Sequence, residues 1–192
     1  MTAGHNLKFV AGLLALIVVA FGLEAIPSLD LASYGLVPRT LRGIPGILAM
    51  PFLHANLGHL LANLGSLVAL LGFLLLFHAK NAISVIVEVI VLGGILLWLF
   101  GRTANHIGAS GLVYGVALFL ISSGLSQRRI LQVIASVVVM VMYGGSLVWG
   151  LLPLDSGVSW DGHLAGAVAG TIIGIYGESQ EGSSQKGKIA GP

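Results

Sequence analysis

Six apolar stretches alternate along this chain with polar or Pro/Gly-rich breaks, at about 8–27, 54–77, 82–100, 109–125, 130–152 and 161–177. A helix needs roughly 20 mainly apolar residues to cross the hydrocarbon core of a bilayer. The pattern therefore predicts an all-α, polytopic membrane protein with a bundle of six transmembrane helices. The first stretch reads as a retained span. Its apolar run after Lys8 is long for a signal-peptide core, and FGLEAIPS lacks a small-x-small cleavage site. Between the first two stretches lies PSLDLASYGLVPRTLRGIPGILAMPF, half apolar and broken by Pro27, Pro38, Pro45 and Pro51, which is expected to lie in or against the bilayer surface. The closing segment is polar and Gly/Ser-rich, so one membrane domain over 1–177 is expected to be followed by a disordered tail over 178–192.

Composition agrees with the pattern. Charged residues make up 8% and hydrophobic ones 56%, and the mean hydropathy of +1.00 lies outside the range of soluble globular domains. The net charge is only +2 and the basic residues are scattered, which argues against a nucleic-acid partner. There is no cysteine, so thiolate chemistry, disulfides and Cys-ligated metals are excluded. Any nucleophile must be an oxygen or a nitrogen.

Basic residues near span ends favour the cytoplasmic side. With the N-terminus inside, the inner set is Lys8, Lys80, Arg128, Arg129, Lys186 and Lys188, against Arg39, Arg42 and Arg102 outside. That orientation places the starts of the second, fourth and sixth stretches at the outer face. Those starts carry the unusual polar residues His54, His59, Ser110 and His163.

In HANLGHLLAN, His59 and Asn63 are four apart and share one helical face. Polar side chains inside a bilayer are costly unless partnered or facing a cavity. They therefore mark either a helix-helix hydrogen bond or a functional site. His54 falls in the turn before, where it can pin the loop. In the sixth stretch His163, Gly166, Gly170, Gly174 and Gly177 form one helical stripe almost without side-chain bulk, which lets a neighbouring helix approach to backbone contact. The fourth stretch carries Gly111 and Gly115 beside Ser110. If these two helices pack together, Ser110 and His163 meet at one depth.

A serine beside a neutral histidine is the activated nucleophile of acyl transfer: the imidazole takes the hydroxyl proton as the oxygen attacks a carbonyl. Asp161 lies two residues before His163 and on another helical face, so a dyad is expected rather than a triad. Tyr114, one turn after Ser110, can stack on the imidazole or serve as a core aromatic. The oxyanion would find donors in the Ser110 N–H at the positive end of a helix, and in His59 and Asn63.

Three separated motifs in this order resemble those of the rhomboid family of intramembrane serine proteases. They are His-x4-His-x3-Asn at His54, His59 and Asn63, Gly-x-Ser-Gly at Gly108, Ser110 and Gly111, and His-x2-Gly-x3-Gly at His163, Gly166 and Gly170. The resemblance spans the chain from the first stretch through the sixth. It implies a rhomboid-type bundle of minimal bacterial form, with a membrane-embedded loop at about 28–53 and a fifth helix linked to lateral substrate access. It also implies Ser110 as nucleophile, His163 as base, His59 and Asn63 as part of the oxyanion site, and Tyr114 packed on the imidazole. The implied substrates are membrane-spanning proteins, cleaved without a cofactor or metal in the cell membrane. Many relatives carry a Trp-Arg pair in the loop, whereas this chain carries Arg39 and Arg42 there without a tryptophan.

Two other readings differ in class. A His-ligated membrane metalloprotein would use His54, His59, His106 and His163, but His54 and His59 are five apart and no His-Glu-x-x-His motif occurs. His106 is expected to be a loop residue or a cavity wall. A catalytically silent rhomboid-like binding protein or small transporter would draw on Glu88, which a proton relay could use but which is expected to face the bundle near its inner end.

Overall fold

The computed structural model describes residues 3–26, 28–127, 130–153 and 157–177. The expected tail over 178–192 lies outside these residues, as do Arg128 and Arg129. Described in chain order, α1 is Ala3–Glu24, a single turn α2 is Gly46–Ala49, α3 is Leu57–Phe77, α4 is Ala82–Phe100, α5 is Ser110–Gln127, α6 is Ile130–Gly150 and α7 is Trp160–Ile172. Residues Ile173–Gly177 continue α7 as a wider π-type turn. No strand occurs among the described residues; one isolated bridge joins Leu36 and His106.

The helices at the six apolar stretches fall into two kinds. Four of them, α1, α3, α4 and α6, are long and apolar enough to cross a membrane, whereas Ser110–Ser126 forms a shorter apolar helix and α7 has only 13 residues. The reason lies in what each helix faces. The four long ones turn large side chains such as Leu16, Leu61, Ile95 and Val141 outward, where lipid covers them. In contrast, α5 is enclosed on nearly every side, with Leu112, Val113, Val116, Ala117, Phe119 and Leu120 all buried. An enclosed helix needs small residues for close packing more than it needs bulk.

Backbone contact between α5 and α7 holds the centre. A Cβ on Gly166 would overlap the Gly111 carbonyl, one on Gly170 the Gly115 carbonyl, and one on Gly174 the Ser122 hydroxyl. The small-residue stripe read from the sequence is thus the face by which α7 docks on α5. Around this pair the core is filled by Leu67, Leu70, Leu71 and Leu74 from α3 and by Val85, Ile86 and Val89 from α4.

The loop before α3 is anchored without a tryptophan of its own. Trp98 near the end of α4 donates its indole N–H to the Thr40 carbonyl at 2.9 Å. The Arg39 guanidinium donates to the Gly101 carbonyl at 2.7 Å and to the Leu99 carbonyl at 3.3 Å. Ile47 packs against Gly94 of α4, where a Cβ would sit 2.7 Å from its methyl group. A tryptophan and an arginine therefore still fasten the loop, but α4 supplies the tryptophan.

Glu88 departs from expectation. It is exposed on the outer surface of α4 beside Val87 rather than turned into the bundle. A proton relay through the interior would have no starting carboxylate at this position.

Candidate active site

The turn that leads into α5 places Ser110. Gly108 has φ +114°, a backbone conformation that side chains with a Cβ rarely adopt, and a Cβ there would also lie 2.6 Å from two atoms of the His59 ring. Its N–H donates to the Met50 carbonyl at 2.9 Å. The next N–H, on Ala109, donates to Nε2 of His54 at 3.5 Å. The tight turn is thus held from the loop on one side and by His54 on the other. Ser110 follows as the first residue of α5 and is partly buried. N–H groups in the first turn of a helix have no intrahelical acceptor, and they lie at the positive end of the dipole.

His59 and Asn63 approach this turn from α3. The His59 ring borders Gly108, and Asn63 Nδ2 lies 3.6 Å from where a Gly108 Cβ would be. Asn63 Nδ2 is buried and has no hydrogen-bond acceptor. A buried amide donor without a partner costs about 1–3 kcal/mol, and such a cost is tolerable where a ligand atom is to be bound. Asn56 caps α3 by accepting from the His59 N–H at 2.9 Å, which fixes where the helix begins and so where both side chains point.

His54 lies in the turn ahead of α3, outside that span. Its ring meets the His59 ring edge-on with centroids 5.0 Å apart. Burial first, and then the charge on His59, lower the His54 pKa from 6.5 to about 4, with the Phe52 backbone pulling weakly upward. The ring is therefore neutral near pH 7, and Nε2 is free to accept from Ala109. In an unfolded chain His54 binds its proton at higher pH, so the stability tied to the neutral ring is complete above pH 6.5 and is lost as pH falls toward 4. Thermal unfolding in detergent micelles should show this decline between pH 6.5 and 4. A His54→Gln variant should flatten it, and an unchanged slope in that variant would assign the effect elsewhere.

His163 comes from the first turn of α7, where its N–H donates to the Ser159 carbonyl at 3.0 Å. Its imidazole stacks on the Tyr114 ring with centroids 4.2 Å apart and planes 5° from parallel. Its Nδ1 lies 2.8 Å from the Gly150 carbonyl. A carbonyl only accepts, so Nδ1 carries the proton, and in the neutral ring Nε2 keeps its lone pair. Ser110 starts from the same helix crossing: its neighbour Gly111 lies against Gly162, the residue before His163, where a Cβ would be 3.3 Å from the Gly162 carbonyl. The residues read from the sequence thus gather at one end of the α3, α5 and α7 group.

A Rhomboid domain model matches residues 42–179, which include all three motifs. The chain belongs to the rhomboid family. Rhomboid proteins are generally intramembrane serine proteases, and this one is a multi-pass membrane protein with apolar spans of the kind such a bundle requires. It is 35% identical over 166 residues to uncharacterized proteins of Mycobacterium bovis and Mycobacterium tuberculosis, covering 82% of this chain and 69% of theirs. A Mycobacterium leprae protein, also uncharacterized, is 38% identical over 155 residues, covering 76% of this chain and 61% of its own.

Two features of this rhomboid site escape a reading of the sequence. Asp161 belongs to an anchor beside the site. Its Oδ2 accepts from the Arg102 N–H at 2.8 Å, its Oδ1 lies 3.5 Å from Arg102 Nε, and its Oδ2 lies 3.7 Å from His106 Nε2. His106 Nδ1 in turn is 2.7 Å from Ser159 Oγ. This cluster ties the segment after α4 to the start of α7 and so sets the height of His163. The second feature is Gly150, whose contribution is a backbone carbonyl and which no side-chain motif could mark. Among the described residues no three His, Asp or Glu side chains converge as a metal site requires.

Proposed function

We propose that this rhomboid protein is an active intramembrane serine endopeptidase that cleaves membrane-spanning protein substrates through a Ser110/His163 dyad. The observation that carries the reading is the state of the His163 ring, stacked on Tyr114 with Nδ1–H directed to the Gly150 carbonyl. Nε2 is then the base. As the Ser110 oxygen attacks a substrate carbonyl, Nε2 takes the hydroxyl proton and the carbonyl oxygen becomes an oxyanion. The Ser110 N–H, the unpartnered Asn63 Nδ2 and the His59 ring supply the donors that receive it. His163 then returns the proton to the departing amine, leaving an acyl-Ser110 ester. Water activated by Nε2 hydrolyses that ester and restores the serine.

A helical substrate hides its carbonyls in i to i−4 hydrogen bonds, so it must unwind locally before Ser110 can reach one. Substrates with small or helix-breaking residues near the scissile bond are favoured for that reason. Basic residues at the span ends support an N-terminus in the cytoplasm and a site open to the outer face of the cell membrane.

Labelling by a serine-reactive fluorophosphonate, beside cleavage of a co-reconstituted single-span reporter, tests this reading. Wild type is expected to take the label and Asn63→Ala to keep it, while Asn63→Ala cuts the reporter about 10²- to 10³-fold more slowly. Label that persists in Ser110→Ala would place the reactive serine elsewhere.

A further inference from the structure

The last turn of α6 touches the site twice, both times through its backbone. The Tyr114 hydroxyl donates to the Ser146 carbonyl at 2.8 Å, and His163 Nδ1–H donates to the Gly150 carbonyl at 2.8 Å. The two rings so held are the stacked pair. Gly150 ends α6, where carbonyls lack an intrahelical donor, and its carbonyl finds that donor in the imidazole. The position also excludes any side chain: a Cβ on Gly150 would overlap the Tyr114 hydroxyl and come within 3.0 Å of Tyr114 Cζ and 3.1 Å of His163 Nδ1. On its other side α6 is open, with Val148 64% and Trp149 69% exposed, so the protein holds this turn from one face only.

We infer that Gly150 is a positioning residue and that the C-terminal turn of α6 is a catch that holds His163 in its Nδ1–H tautomer. The inference rests on the reading of His163 as the base. With the catch closed, the Gly150 carbonyl keeps the proton on Nδ1 and leaves Nε2 able to accept one from serine. When the turn moves outward, both hydrogen bonds part together, because Ser146 and Gly150 lie one helical turn apart on one rigid segment. The imidazole then loses its acceptor and can carry the proton on Nε2, where it cannot act as base. Small displacements of α6 thus switch the state of the catalytic imidazole.

Three variants of the full chain in vesicles test the catch: Gly150→Ala, Tyr114→Phe and the pair. Gly150→Ala is expected to lower kcat on the reporter by about 10²-fold, the scale of an ångström-sized misplacement of a reacting group, with KM little changed. Adding Tyr114→Phe removes the hydroxyl that the new methyl group meets first, so the pair is expected to recover severalfold over Gly150→Ala alone. The tautomer is read independently of activity by solid-state NMR of the protein with 15N-labelled histidine: wild-type His163 shows a protonated Nδ1, and Gly150→Ala shows both tautomers. A pair no better than Gly150→Ala, or a wild-type ring protonated on Nε2, would overturn the catch. A wild type that shows protonated Nδ1 but takes no serine probe would instead overturn the protease reading and leave the hydrogen bond as described.

Discussion

Ser110→Ala and His163→Ala are each expected to slow reporter cleavage by at least about 10³-fold, and the double variant is expected to be hardly slower than either. The size of the effect follows from the division of labour at the crossing of α5 and α7. Without the hydroxyl there is no atom to form the acyl ester. Without the imidazole the hydroxyl keeps its proton, because the nearby Asp161 is committed to Arg102 and to the His106 cluster. What remains in each variant is binding and the oxyanion donors, which by themselves supply only part of the acceleration. Non-additivity is the informative result, since two residues acting in one step cannot each be lost twice. The measurement is initial cleavage rate in vesicles at fixed reporter density. A Ser110→Ala protein that cuts as fast as wild type would end the dyad proposal.

Gly166→Leu is expected to cause a large loss of stability. A Cβ alone at this position overlaps the Gly111 carbonyl, and backbone cannot step aside as a side-chain tip can. Overpacking of this kind costs about 1–3 kcal/mol or more, and here it also drives α5 from α7 at the level of Ser110 and His163. Activity is thus expected to vanish even in the fraction that stays folded. Gly72→Ala is the control, because a Cβ there meets nothing within 4 Å and alanine favours a helix by about 1 kcal/mol over glycine. Thermal unfolding of both variants in the same detergent separates the cases. A Gly166→Leu protein as stable as wild type would mean that the α5–α7 contact is looser than described.

Much of the helix packing around the candidate site was legible in the sequence. The helical stripe of Gly166, Gly170 and Gly174 forecast a close approach, and Gly111 and Gly115 named the partner helix correctly. Of the two roles the sequence left open for Tyr114, the ring is found stacked on His163. The boundaries of α4 agree with the apolar stretch at 82–100, because Asn81 and Gly101 bracket it. Other boundaries moved: α1 starts at Ala3 rather than near Lys8, since polar His5 and Asn6 are tolerated in a helix once Asn6 bonds to the Ala79 carbonyl. Of the six expected spans, four are long and apolar enough to cross a membrane, while α5 and α7 are shorter, because a hydropathy window measures apolar content and cannot tell lipid from protein as the neighbour.

The amino-acid sequence by itself determined the class of the protein, the helices and the chemical groups gathered at their ends. Those follow from local quantities: hydropathy sets a span, a period of 3.6 residues sets a face, and side-chain type sets the available chemistry. Only the tertiary structure decided how the groups are held. Trp98 reaching the Thr40 carbonyl, Asp161 turning to Arg102, and the Gly150 carbonyl fixing the proton on His163 are contacts between distant segments. Two of those three use backbone carbonyls, which every residue carries, so no pattern of side chains could have marked them.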